Sequence, residues 1–386
     1  MNYEFPIIRH IDDVLPHIEG RSEFIVAERE DYDVINYVVQ TQHTFDMYPN
    51  GFRSGRIVQY DYGGAIRREC RGLIFYKDGT LMSRPFHKFF NVNERDETQV
   101  YEIDLSQPHV VMEKMDGSMI RPLIVDGYLR LGTKMGVTDV AMQAEEWLAK
   151  QSYEYKEWLY NCVVDSVTPL FEWVSSNNKI VLDYKEDNLV YLGTRDNASG
   201  KYIMDKSCPF DTVPQYGSVD VSLSEYVDRQ RVMGNREGDI IRFASGHMAK
   251  IKNDWYVRIH KVMDKIRFDR NIVALILNEE LDDALAMLPK NEADRVREFE
   301  SKFATQLESK VLDYDRYWNS VVTSGLDRKA YAQEWMPIIK GNDPFAPAYV
   351  FGRFQGKDGR QMLLNHIEKG IGTNTKWDDC AKWIGM

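Results

Sequence analysis

The chain has 386 residues, of which 43% are hydrophobic and 28% charged, and it carries a net charge of −11. That length suits two domains with a core each, and the composition is that of a soluble globular protein. No window nears the ~18 apolar residues of a membrane helix, and the start, Met1-Asn2-Tyr3-Glu4-Phe5, lacks a basic signal head.

The four cysteines (Cys70, Cys162, Cys208, Cys380) are scattered, which argues for a reducing cytoplasm and against a zinc site or disulfide frame. The acidic balance weighs against a broadly nucleic-acid-binding surface, but the charges are segregated. Arg236 to Arg270 holds nine Lys/Arg against five Asp/Glu, whereas Glu279 to Asp315 holds five against eleven. A basic stretch beside an acidic one fits a polyanion site on an otherwise acidic body.

In chain order, Asp33 to Val39 is β-branched and aromatic and predicts a strand. From 57 to 92 the pattern stays strand-like, and Arg71 and Lys88 each sit against a hydrophobic run; such charges ordinarily guard strand edges. Val110 to Ile120 is the centre of the chain. An apolar strand delivers Lys114 into the turn Met115-Asp116-Gly117, and a second apolar run leaves it. The ordinary reading is a surface hairpin with a solvated lysine. A lysine deprotonated by cationic neighbours is instead a covalent nucleophile, and Gly117 would let a phosphate approach the backbone.

Ile120–Val125 and Tyr128–Lys134 predict a hairpin turning at Asp126-Gly127, with Arg130 and Lys134 on one face. Residues 139 to 161 read as helical. Strands follow at Thr168–Val174, Lys179–Leu182 and Asn188–Thr194, and Glu172 lies between Phe171 and Trp173, where an acid needs a partner. In Met248–Lys252 the two-residue period puts Lys250 and Lys252 on one face. Both suit an exposed edge, or the oxygens of a bound phosphate. Helical texture fills the remainder, in Asn271–Leu288, in the stripe Phe299, Phe303, Leu307, Val311, Tyr314, Trp318, Val321, and in Arg328–Lys340. Gly341 to Gly359 reads as a connector. There is no Walker loop and no dinucleotide glycine fingerprint.

Six segments occur in order: Glu-Cys-Arg-Gly, Arg-Pro-Phe-His-Lys-Phe-Phe-Asn, Lys-Met-Asp-Gly-Ser, Phe-Glu-Trp-Val, Glu-Gly-Asp-Ile and Lys-Ile-Lys. This order resembles the covalent nucleotidyltransferases, and most closely the phage RNA ligase 1 family of tRNA-repair ligases. The resemblance is sharp over roughly 67 to 262. It implies an α+β fold: an ATP-grasp-like nucleotidyltransferase domain of antiparallel sheets at 1–258, then an all-α domain at 259–386 with a role in tRNA specificity.

By that resemblance Lys114 attacks the α-phosphorus of ATP, Asp116 and Gly117 shape its turn, and Arg71 and Lys88 hold the departing pyrophosphate with Lys134 and Tyr256 nearby. Glu172 and Glu237, the latter in a turn with Gly238, bind ribose or a water-bridged Mg2+ or Mn2+, and Lys250 and Lys252 bind the α-phosphate. Asp239 departs from the family pattern, in which this place is usually aromatic or apolar. The expected partners are RNA, in particular a nicked tRNA anticodon loop, and a polynucleotide kinase-phosphatase. The protein is expected to be a monomer in the cytoplasm of the host cell. The alternatives are a capping-type guanylyltransferase and a catalytically silent nucleic-acid-binding protein; DNA ligases and capping enzymes carry a C-terminal barrel and an Arg-x-Asp-Lys signature, neither found here.

Overall fold

The computed structural model describes residues 4–46, 51–53, 56–58, 61–203, 207–339 and 343–386; the expectations for Met1–Tyr3, Lys340 and Gly341 fall outside it. The chain divides into two compact units, Met1–Val257 and Arg258–Met386. The first is α+β and the second helical.

In the first unit the strands begin with β1 (Phe24–Glu28), β2 (Tyr32–Tyr37), β3 (Gly51–Arg53), β4 (Arg56–Val58), β5 (Arg71–Tyr76) and β6 (Leu81–Ser83). Next come β7 (Phe90–Asn91), β8 (His109–Lys114), β9 (Ser118–Val125), β10 (Tyr128–Gly132) and β11 (Val167–Val174). The last are β12 (Asn188–Asp196), β13 (Tyr202–Ile203), β14 (Gly238–Phe243) and β15 (Met248–Lys252). They form sheets of order β1-β2-β5-β6, β10-β9-β11-β12-β13 and β7-β15-β14-β8, with β3-β4 as a separate pair. Every pairing is antiparallel except β7 with β15.

β11 shows why the core forms as it does. Its side chains alternate between faces. Phe171 and Trp173 pack with Leu148 and Leu159 of the helices Asp139–Ala149 and Tyr153–Val164, whereas Leu170 and Val174 pack with Met112 and Val190. Glu172 shares the second face. In the neighbouring sheet, Val111, Ile241, Ala249 and Ile251 pack against Leu223 and Val227 of the helix Leu223–Arg231. The alternate residues Met112, Lys114, Ile240, Arg242 and Lys250 are left to line a cleft.

A buried charge cluster joins the first sheet to the second. Glu69 is 1% exposed; Arg195 Nη1 and Nη2 donate to it at 2.6 and 2.8 Å, and Arg84 Nε at 3.2 Å. Arg84 also donates to the carbonyls of Pro6, Asn197 and Ala198. Burial works against the Glu69 carboxylate, but the two guanidiniums outweigh it and hold the group well below the usual carboxylate range.

In the second unit the 34-residue helix Lys290–Thr323 buries Phe303, Leu307, Tyr314 and Val321 against Tyr349, Leu363, Ile367 and Trp377 of three later helices. That stripe recurs every three to four residues and faces one way.

Several local expectations are corrected. Residues 139 to 161 form two helices, broken where Ser152 caps the second in extended conformation. Lys179–Leu182 is no strand, because Val181 N and Leu182 N donate to the Asp116 carboxylate instead of to a ladder. Asn271–Leu288 is two helices separated at Glu279, whose φ is +61°. A π-turn, Tyr331–Trp335, interrupts the helix begun at Arg328. The connector from 341 to 359 contains a helix, Ala346–Phe354, which tolerates Pro347 in its first turn and buries Tyr349 and Val350. The β10 ladder ends at Gly132, so Arg130 and Lys134 do not share a face: Arg130 pairs with Glu145 at 2.9 Å, and Lys134 enters the cleft.

Removing one partner of a buried ion pair leaves an uncompensated charge, at a cost of about 3–5 kcal/mol. Glu69→Gln is expected to lower the urea midpoint by that much stability with an unchanged m-value, measured by chemical denaturation.

Candidate active site

The cleft of about 550 Å³ is lined from the five-stranded sheet and the β7-β15-β14-β8 sheet, with β5 and the β10 turn contributing Arg71 and Lys134. Lys114 ends β8 directly opposite Gly238 of β14, which in turn pairs with Lys252 of β15. The residue before that glycine, Glu237, is buried. Its Oε1 lies 2.7 Å from Lys114 Nζ and 3.0 Å from Lys252 Nζ, so one carboxylate oxygen holds two ammoniums. Gly238 has φ +150°, and a Cβ there would stand 1.9 Å from the Ile251 carbonyl oxygen. The strand therefore needs glycine where it bends Glu237 into the cleft.

Asp116 fixes the turn after the lysine. It is 2% exposed. Its Oδ2 accepts from Val181 N at 2.8 Å and Leu182 N at 2.7 Å, and its Oδ1 from Tyr256 Oη at 2.6 Å. Its own backbone N donates to Tyr184 Oη at 3.0 Å. Gly117 N donates to Glu172 Oε1 at 3.1 Å. A Cβ on Gly117 would meet the Trp173 carbonyl oxygen at 2.2 Å. The glycine is thus required by close passage along β11, a different reason from the approach of a phosphate.

Cations gather elsewhere in the cleft. Lys250 Nζ lies 5.7 Å from the Phe89 ring centroid and Arg71 Cζ 6.0 Å from it. Burial, then Lys88 and Arg71, push Lys250 down to about 7. Lys88 Nζ donates to Gln40 Oε1 at 2.7 Å and rests 5.2 Å from the Tyr37 and Phe45 rings. Lys134 Nζ is 5.6 Å from the Tyr37 ring. Glu172 is pushed up to about 8 by burial, with Lys114 opposing and Glu237 reinforcing the shift.

Of the residues singled out in the sequence, Lys114, Asp116, Gly117, Glu172, Glu237, Gly238, Lys252 and Tyr256 form one connected network. Arg71, Lys134 and Lys250 share the cleft, and Lys88 stands behind them. Lys250 and Lys252 take different partners although they share a strand face. Asp239 points away from the cleft, bonded to Tyr226 Oη at 2.7 Å and to Arg236. Sequence reasoning missed Gln40, Tyr184 and Arg242: the first two lie in loops without periodicity, and the third is one alternate residue of an apolar strand.

The family described as RNA ligase matches residues 69–256, a span that contains every residue of the network. A protein of Thermovibrio ammonificans, provisionally named an RNA ligase, is 26% identical over 289 residues, covering 72% of this chain and 71% of that protein. The RNA ligase 1 of Bacteriophage TS2126 is 29% identical over 153 residues, 36% of each chain. A protein of Autographa californica nuclear polyhedrosis virus, provisionally named a bifunctional polynucleotide kinase/RNA ligase, is 29% identical over 242 residues, 57% of this chain. The chain thus spans about a third of the length of both viral relatives, 36% and 35%. Among solved structures, an archaeal ATP-dependent RNA ligase is 14% identical with a TM-score of 0.44, covering 76% of this chain and 78% of that one.

With its pKa near 7, Lys250 is largely neutral at pH 8, and a bound anion favours its charged form. Binding of inorganic pyrophosphate at pH 8 is therefore expected to take up a proton that Lys250→Arg does not, and the difference should vanish at pH 6, where Lys250 is already charged. Calorimetry in two buffers of different ionisation enthalpy measures it.

Proposed function

We propose that this chain is an RNA ligase of the family whose model matches residues 69–256, and that it joins RNA 5′-phosphate and 3′-hydroxyl ends at the expense of ATP. The observation that carries the reading is Lys114, held by the Glu237 carboxylate beside a second lysine, at the edge of a cleft with a separate group of cations.

Lys114 Nζ attacks the α-phosphorus of ATP. The N–P bond forms as the bond to pyrophosphate breaks. The amine must first lose a proton, and Glu237 Oε1 at 2.7 Å is the nearest acceptor. Arg71, Lys250 and Lys88 hold the polyphosphate, and Lys252 passes from Glu237 to the α-phosphate as charge builds on its oxygens. Asp116 and Gly117 keep the lysine's turn fixed, and Tyr256 holds Asp116. In the second step an oxygen of the RNA 5′-phosphate displaces Lys114 from phosphorus. In the third, the 3′-hydroxyl attacks that 5′-phosphate and AMP leaves.

Glu172 and Glu237 are the acids facing the nucleotide. Among the described residues no group of three or more His, Cys, Asp or Glu could hold a metal ion. Two carboxylates suit Mg2+ or Mn2+, which takes one or two protein oxygens and keeps its waters. When bound, such an ion would neutralise triphosphate charge.

The viral relative named as a polynucleotide kinase and RNA ligase supports work beside an end-healing kinase; the substrate proposed for that work is a nicked tRNA anticodon loop, in the host cytoplasm. The helical unit would read the shape of that RNA. Its acidic first half favours a limited, selective contact over a broad phosphate grip.

Incubation with α-labelled ATP and a divalent metal, after any bound AMP is stripped, should label the protein; label from GTP alone would indicate a capping enzyme, and no label would defeat the reading. Lys114→Ala and Lys114→Arg should both abolish label, since a guanidinium is not deprotonated at working pH. Truncation after Arg267, which keeps the helix Asp254–Ile266 whole, should leave adenylylation and joining of unstructured RNA largely intact while sealing of a nicked tRNA stem-loop falls much further. Equal loss on both substrates would make the helical unit a structural support.

A further inference from the structure

The cleft has a second end. Along β14 the cleft-facing residues are Gly238, Ile240 and Arg242, and the last lies opposite Val110 of β8 and Met248 of β15. At ~3.3 Å per residue, Arg242 starts about 13 Å along the strand from the Lys114 position. It is 9% exposed and pairs with no described carboxylate. The groups that act on it are Tyr202 and Tyr191, and none of the cations Arg71, Lys88 or Lys250. Its Nη1 reaches the Leu192 carbonyl at 3.5 Å. Nε and Nη2 donate to no described residue and are not among the sealed, partnerless polar atoms, and the side chain lines the cleft. A guanidinium this buried is costly unless something accepts from it.

Leu192 is displaced in its own strand. The β11–β12 register passes from Leu170↔Gly193 to Phe171↔Tyr191, so Leu192 has no opposite residue. Such a bulge re-aims a backbone group beside a site. The result is a donor and an acceptor side by side, among the apolar walls of Met112, Met248 and Phe86. Apolar walls with few, placed polar groups hold a flat heterocycle, while the polyphosphate belongs with the cation group.

We propose that Arg242 and the Leu192 carbonyl select the base of the nucleotide, Arg242 donating to a ring nitrogen of adenine and Leu192 accepting from its amino group. The inference rests on the ATP reading above. Adenine presents a ring acceptor beside an amino donor; guanine puts a carbonyl oxygen where the amine stood, facing the Leu192 oxygen. A charged hydrogen bond of about 1.5–3 kcal/mol corresponds to roughly 10–100-fold in affinity.

The test is lysine labelling by ATP, GTP, 1-deaza-ATP and 7-deaza-ATP in the full chain and in Arg242→Met. Wild type should prefer ATP and lose roughly 10–100-fold in kcat/KM with one deaza analogue, through KM. Arg242→Met should lose a similar factor with ATP, through KM, show little further loss with that analogue, and discriminate less against GTP. A purely structural role would not erase the difference between ATP and one deaza analogue. Thermal unfolding checks the fold, and if the methionine variant does not fold, the wild type alone decides: undiminished kcat/KM with both deaza analogues overturns the inference. Label from ATP in wild type with unchanged analogue ratios in the variant would overturn this inference alone. No label from ATP in wild type would overturn the ligase reading and this inference with it.

Discussion

Three hydrogen bonds to the Asp116 carboxylate hold the site together. Two come from consecutive backbone amides of a loop, Val181 and Leu182, and one from the Tyr256 hydroxyl, 140 residues away in sequence. A buried carboxylate is stable only when its oxygens are this fully occupied. The loop after β11 and the helix start after β15 thus both converge on the turn that follows Lys114, and its backbone has little freedom. Placement of the lysine is a consequence of that restraint as much as of its own contacts.

Around this fixed point the cleft separates its tasks by polarity. Near Lys114 a single carboxylate holds two ammoniums in place. Beyond it, Lys250 and Arg71 lie near an aromatic ring, and burial has already driven Lys250 to the edge of neutrality. Like charges can be stored side by side in this way because one of them is weakly charged until an anion arrives. At the far end the walls turn apolar and one guanidinium remains. The order of charge along the cleft mirrors that along a nucleotide.

Much of this was legible in the sequence, and the reason is periodicity. Alternation in Phe171-Glu172-Trp173 set Glu172 apart, and the two-residue spacing of Lys250 and Lys252 put them on one face. The helical stripe from Phe299 to Val321 declared a helix by its spacing, and Phe303, Leu307, Tyr314 and Val321 are its buried residues. What was illegible was decided by contacts distant in sequence. Lys179–Leu182 has the composition of a strand, but its amides are claimed by Asp116. Gly117 looked like room for a phosphate and is in fact room for the Trp173 carbonyl. Gln40 and Tyr184 sit in loops, where no repeating pattern marks a residue, and Arg242 resembled any charge in a strand until it was seen to pair with no described carboxylate.

The sheet that carries the lysine also constrains when the protein becomes competent. β8 ends at Lys114, yet its partner is β14 at Gly238–Phe243, and β14 is flanked by β15. Closing so long a loop is slow, and chains emerge from the ribosome N-terminus first. Over about a third of its synthesis the chain therefore carries β8 without its β14 ladder, and with its lysine lacking Glu237. Lys252 and Tyr256 follow later still, so the network around Lys114 is complete only once the chain has passed residue 256. A chain cut short before Glu237 therefore lacks both the β14 ladder and the carboxylate that holds Lys114.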